Sequence, residues 1–129
     1  MSIRDLAQQA KQASIELAAV STEKKNNALK EIANALKERK NEIIAANAED
    51  LARSEKENLA SPLLKRLKFD EKKISEVIDG INSLIGLEDP VGKTLMATEL
   101  DDGLKLYRVS CPIGVIGVIF ESRPDALVQ

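Results

Sequence analysis

Residues 112–125 read PIGVIGVIFESRPD, and the fold is decided by how this stretch is read. Its first part, Ile113 to Phe120, is apolar and rich in β-branched residues, with no alternation of apolar and polar positions. A run of that kind is the pattern of a strand buried on both faces, and such strands belong to parallel sheets covered by helices. The polar cluster Glu121-Ser122-Arg123-Pro124-Asp125 then falls where the strand's carboxyl end would turn, and Ala126 to Gln129 opens the helix expected next. One parallel strand is not a sheet. The sequence therefore predicts the front part of a larger α/β protein of the nucleotide-binding kind, truncated after its first sheet strand.

Working backwards, Leu104 to Cys111 and Lys93 to Leu100 flank Asp101-Asp102-Gly103, a tight-turn tripeptide, so the two segments are expected to pair as a hairpin. Leu104 and Leu106 share a side with Arg108 and Ser110, and this imperfect alternation predicts partial exposure or cover from another subunit. Asp89-Pro90-Val91-Gly92 is a turn cluster at which the helical period stops. Everything before it reads as helix. Ile3, Leu6, Ala10, Ala13, Leu17 and Val20 recur at three and four, with Ser2 as cap and Asp5 at the positive end of the dipole. A second helix, capped by Ser21 or Thr22, carries Leu29, Ile32, Ala33 and Leu36; a third, Asn41 to Asn58, carries Ile43, Ile44, Asn47, Ala48, Leu51 and Ala52. Ser61-Pro62 reads as a cap followed by proline at the first helical position of a short helix through Leu67. Asp70 begins the last helix, whose stripe of Ile74, Val77, Ile78, Ile81, Leu84 and Ile85 ends near Gly86.

Composition excludes several classes. The chain has 19 basic and 21 acidic residues, a net charge of -2, which gives no electrostatic footprint for nucleic acid. Its longest apolar run is far short of the roughly 20 residues that span a bilayer, and charges break up the N-terminus as a signal peptide, so a cytoplasmic protein without a membrane partner is expected. One cysteine and no histidine leave too few ligands for a zinc site. With two Phe, one Tyr and no Trp, the core is expected to be built from Leu, Ile, Val and Ala.

The run PIGVIGVIFESRPDALVQ, together with ANAEDL, DPVG and DGLKLYRV upstream, resembles the gamma-glutamyl phosphate reductase family, also called glutamate-5-semialdehyde dehydrogenase, within the aldehyde dehydrogenase superfamily. The likeness extends over the whole chain, which would be about the front third of such an enzyme. It implies helices of the cofactor-binding domain over residues 1–88, an oligomerisation-type hairpin over 89–111, and the first strand and loop of a Rossmann-like sheet over 112–129. It further implies NADPH-dependent reduction of L-glutamate 5-phosphate to the semialdehyde with release of phosphate, in proline synthesis. A homo-oligomer and a functional link with glutamate 5-kinase are implied as well. The family's nucleophile is a cysteine far downstream, so no catalytic residue is expected here and the isolated chain should be inert.

Site candidates follow from that likeness and from position. Ligands of open α/β sheets bind outside the carboxyl ends of strands, which is where Arg123 stands. A guanidinium can hold a phosphate or carboxylate by two parallel hydrogen bonds. In the wider superfamily the corresponding loop reads PWNFP, and Arg123 stands in the register of its oxyanion-holding asparagine, a departure that suits a phosphorylated substrate. Arg123 and Ser122 are thus read as substrate contacts, and Glu121, Ser122 and Pro124 as residues on the cofactor side. The bland alternative pairs Arg123 with Glu121 or Asp125 to stiffen the turn. Cys111, the lone thiol, reads as a small buried structural residue. Gly114 and Gly117 lie inside the expected strand and not in the turn after it, so they are not a dinucleotide fingerprint. The basic run Lys65, Arg66, Lys68, Lys72 and Lys73 is interleaved with Asp70 and Glu71 and reads as a solvated face. Two rivals stay open: a helical interaction module that binds a partner through Val115 to Phe120, and a reductase of another acyl or aldehyde substrate.

Overall fold

The computed structural model describes residues 2–128, and the chain divides into two compact units: residues 1–22 with 88–117, and residues 23–87 with 118–129. It is an α/β protein, with five helices, a two-stranded antiparallel sheet and a final 3-10 turn among the described residues.

The second unit holds the core. Helix α2 spans Thr22–Glu38, α3 Lys40–Lys56, α4 Ser61–Leu67 and α5 Glu71–Ile85. Ala33 of α2, Phe69 before α5, and Ile74 and Ile81 of α5 are buried. The apolar stripes read from the sequence supply three of these four. Phe69 is a correction to the all-aliphatic expectation, because the α4–α5 connection carries its ring into the core. Asn47, on the apolar side of α3, is buried and fully engaged: its Nδ2 donates to the Leu67 carbonyl at 2.9 Å, and its Oδ1 accepts from the Phe69 amide at 2.7 Å. One carboxamide thus satisfies two backbone groups of a connection that has no ladder of its own. Asn26 of α2 donates to the Ile85 carbonyl at the end of α5 at 3.4 Å.

Local chemistry sets the helix ends. Asp70 caps α5 as expected, accepting from the Lys73 amide at 3.1 Å, and Gly86 ends the helix. The Lys68 ammonium, with the Lys73 amide, holds the Asp70 carboxyl below its ordinary value of 3.8. Asn58, which adopts a positive φ of 57°, follows α3. Ser61 is the first residue of α4 and not its cap; Ala60 takes the cap position without a side-chain hydrogen bond, and Pro62 keeps its place in the first turn.

In the first unit, α1 spans Ile3–Ala18 and opens with a capping box: the Asp5 amide donates to Ser2 Oγ, and the Ser2 amide to the Asp5 carboxylate at 2.9 Å. Those two donors from Ser2, the backbone amide first, hold the Asp5 carboxyl below its ordinary value. None of its residues is buried; Ile3, Leu6 and Leu17 of the apolar stripe are exposed. Strands β1, Thr94–Asp101, and β2, Leu104–Val109, pair antiparallel as expected, and every residue of both is exposed. Gly103 takes φ +77°, and the register slips between Glu99 and Asp101, the mark of a bulge beside the turn. Ser110 closes the open end: its Oγ accepts from the Lys93 amide at 2.9 Å and donates to the Pro90 carbonyl, while its amide donates to the Lys93 carbonyl at 3.0 Å. Asp89 accepts from Thr22 Oγ1 at 2.9 Å with one oxygen and from the Val91 amide at 3.0 Å with the other.

The strand expected over Ile113–Phe120 is not formed: residues 110–120 have no regular secondary structure. Ile113 is 88% exposed and Ile119 101%, so this run is not buried even on one face. A strand exists only through a partner's donors and acceptors, and among the described residues none is aligned with this run. Apolar character marks what a segment can become when covered. It cannot supply the ladder.

Candidate functional site

The ESRPD loop follows that run in the second unit. Ser122 adopts φ +52°, a left-handed conformation uncommon for a residue with a side chain, and so turns the chain sharply. Pro124–Leu127 then form a 3-10 turn, shorter and tighter than the expected start of a helix at Ala126; Gln129 lies outside the described residues. Proline stands in the first turn, where its missing donor costs nothing.

The loop sorts its residues by burial. Glu121 and Arg123 are exposed, while Ser122 and Pro124 are half-buried. Asp125, which the sequence offered only as a turn-stiffening partner, is half-buried: its side chain is 16% exposed, and its Oδ1 is buried without a hydrogen bond. Two cations flank this carboxylate. Lys73 Nζ of α5 lies 3.9 Å from Oδ2, and Arg123 Nε lies 4.0 Å from Oδ1. The pairing of Arg123 with Asp125, the bland alternative, is therefore present, at the outer limit of an ion pair, and the Arg123 side chain stays 55% exposed. No pairing of Arg123 with Glu121 accompanies it.

Beneath the loop is a cleft of about 280 Å³ between Asp125 and Val128 on one side and Lys73, Val77, Ile81 and Leu84 of α5 on the other. Gly80 also lines it, and a Cβ there would meet nothing within 4 Å. Lys73 is a second correction. Lys65, Arg66, Lys68 and Lys72 are exposed as expected, but Lys73 is drawn to Asp125. Its signal was in the sequence, since Lys73, Val77, Gly80 and Leu84 fall at intervals of four, three and four on one face of α5.

Cys111 is exposed and not buried, because it lies beyond the end of β2 in the segment with no regular structure. Gly114, at φ +102°, and Gly117 lie in that same segment, and neither is in a turn leading into a helix. A dinucleotide's pyrophosphate is held by a glycine-rich turn at a helix N-terminus. The described residues do not form such a cradle, so they do not by themselves fit a nicotinamide dinucleotide. No helix among them is long and apolar enough to cross a membrane.

No family model matches the chain. Among solved structures, at 39% identity the chain aligns over 95% of its length, with a TM-score of 0.90, with a Thermotoga maritima crystal structure of which it covers 30%. A Saccharomyces cerevisiae structure aligns over 99% of the chain, at a TM-score of 0.92 and 45% identity, and 33% of it is covered. Both are gamma-glutamyl phosphate reductases, and it is their N-terminal region that the helices and hairpin match. In sequence the chain is 73% identical over 129 residues to the gamma-glutamyl phosphate reductase of Acetivibrio thermocellus, and 46% identical over 128 residues to that of a Nostoc species. It spans 30% of the length of each.

Proposed function

We propose that these 129 residues are the N-terminal part of an enzyme that reduces L-glutamate 5-phosphate to L-glutamate 5-semialdehyde with release of phosphate, in proline biosynthesis. The observation that carries this reading is the 73% identity to a gamma-glutamyl phosphate reductase without interruption from Met1 to Gln129. Identity of that order over helices, hairpin and loop together is not expected of a stand-alone interaction module.

In this reading a cysteine thiolate outside these residues attacks the acyl phosphate carbon and phosphate leaves; a thioester accepts hydride more readily than a carboxylate does. The relatives are reductases, and a nicotinamide cofactor, NADPH in our reading, supplies that hydride when bound. Glu121, Ser122 and Pro124 shape the loop on the cofactor side. Arg123, with Ser122 beside it, grips the phosphate or carboxylate of the substrate, and its exposure at the turn suits an anion arriving from solvent. The exposed hairpin joins subunits of a homo-oligomer, the enzyme is cytoplasmic, and glutamate 5-kinase supplies its substrate. The 129 residues alone are inactive.

The test is the reverse reaction of the longer protein: phosphate-dependent reduction of NADP⁺ by glutamate 5-semialdehyde. Aldehyde oxidation independent of phosphate would overturn the reading. Arg123→Lys loses the planar two-bond grip and is expected to weaken kcat/KM by about 10- to 100-fold, the worth of one hydrogen bond to a charged group. Unchanged kinetics would remove Arg123 from the site.

A further inference from the structure

Asp125 has no role in the reading above, yet its side chain is only 16% exposed. Its Oδ1 is shut off from solvent with no hydrogen bond, a costly state for a carboxylate unless nearby cations offset it. The two that do so come from different places. Lys73 Nζ, 3.9 Å from Oδ2, belongs to α5; Arg123 Nε, 4.0 Å from Oδ1, belongs to the loop itself.

We infer that Asp125 is a positioning residue that aims the Arg123 guanidinium. This rests on the reading of Arg123 as the anion grip. Nε is the guanidinium nitrogen nearest the carboxylate, 4.0 Å away without a hydrogen bond, so the contact with Asp125 lies on the Nε side and the Nη1–Nη2 edge is left for a second, oxygen-bearing partner. That edge presents two parallel donors, the arrangement that matches a phosphate or carboxylate. The pairing of Arg123 with Asp125 is thus not a rival to a functional arginine but the means of orienting it. Lys73 completes the arrangement by anchoring the carboxylate to α5, a helix whose Ile74 and Ile81 lie in the core, so that the aim is referred to a rigid element and not to the loop. At 4.0 Å the Arg123 contact is loose, as expected of a pair that tightens when an anion takes the other edge.

The experiment uses the full-length enzyme in the phosphate-dependent reverse direction, with inorganic phosphate as the probe. Asp125→Asn is expected to raise the KM for phosphate by about tenfold, with the KM for NADP⁺ and the melting temperature little changed, since removing an orienter weakens one grip only. In the Arg123→Ala background the same substitution is expected to add nothing, because a residue that acts through Arg123 has no effect once Arg123 is gone. An equal rise in both backgrounds, or a rise in both Michaelis constants together with a fall in melting temperature, would overturn the inference in favour of a structural carboxylate. If Asp125→Asn does not fold, Asp125→Glu retains the charge but displaces it by one methylene, and a folded Asp125→Glu enzyme with an unchanged phosphate KM overturns the inference equally. Should Arg123→Ala itself leave the phosphate KM unchanged, the anion-grip reading fails; should Arg123→Ala raise it and Asp125→Asn not, only the positioning role fails.

Discussion

Residues 23–87 and residues 88–117 have comparable shares of Ile, Leu and Val, and only the first set buries any. In the helical unit the backbone hydrogen bonds are closed within each helix, so the side chains need only meet, and Ala33, Phe69, Ile74 and Ile81 do. In the hairpin unit half of the backbone's potential is met by the β1–β2 ladder, and all fourteen strand residues remain exposed. A helix carries its hydrogen bonds with it. A strand borrows them from its neighbours, and so the same apolar content yields a core in one region and an uncovered surface in the other.

Substitutions can break this comparison. The largest effect is expected from Ile74→Ala, since Ile74 is 2% exposed: a loss of about 2–5 kcal/mol, read by urea unfolding of the helical signal. A loss below about 1 kcal/mol, the scale of a surface change, would mean that the helical unit has no real core. Asn47→Ala comes next. It leaves the Phe69 amide buried without its acceptor and should cost about 1–3 kcal/mol, with faster hydrogen exchange at that amide. Gly103→Ala forces a side chain into φ +77° and should cost about 1–2 kcal/mol, but in the hairpin alone: exchange of β1 and β2 amides should rise while the α5 amides stay protected. Equal loosening of both regions would show that they unfold together.

The smallest effect is one of pH. The carboxyls of Asp5 and Asp70 are held below their ordinary value by the groups they cap, so their contribution is present at pH values above that of the unfolded chain, 3.8, and is lost as pH falls through the lower folded-state value. Circular dichroism of helix content should therefore decline on acidification below about pH 4, and the Asp70→Asn variant should show less of this decline.

All five helices, the hairpin and its turn were legible in the sequence, because their signals are local: three-and-four periodicity, Ser2 and Asp70 at caps, Gly103 at a turn. The apolar run Ile113–Phe120 was legible as strand-forming and no further, because pairing depends on atoms that the run does not contain. Within the site, the sequence marked Arg123 and Ser122 by residue type and position after the run. It missed Lys73, taken for one more cation on a solvated face, and it offered Asp125 only as a stiffener. Only the tertiary structure brought α5 against the loop, across fifty-two positions of sequence, and set the half-buried Asp125 between two cations. Sequence by itself determines what each short segment can do with its own hydrogen bonds. Which charges come within ion-pair range of one another is decided by packing, since that depends on distance in space and not along the chain.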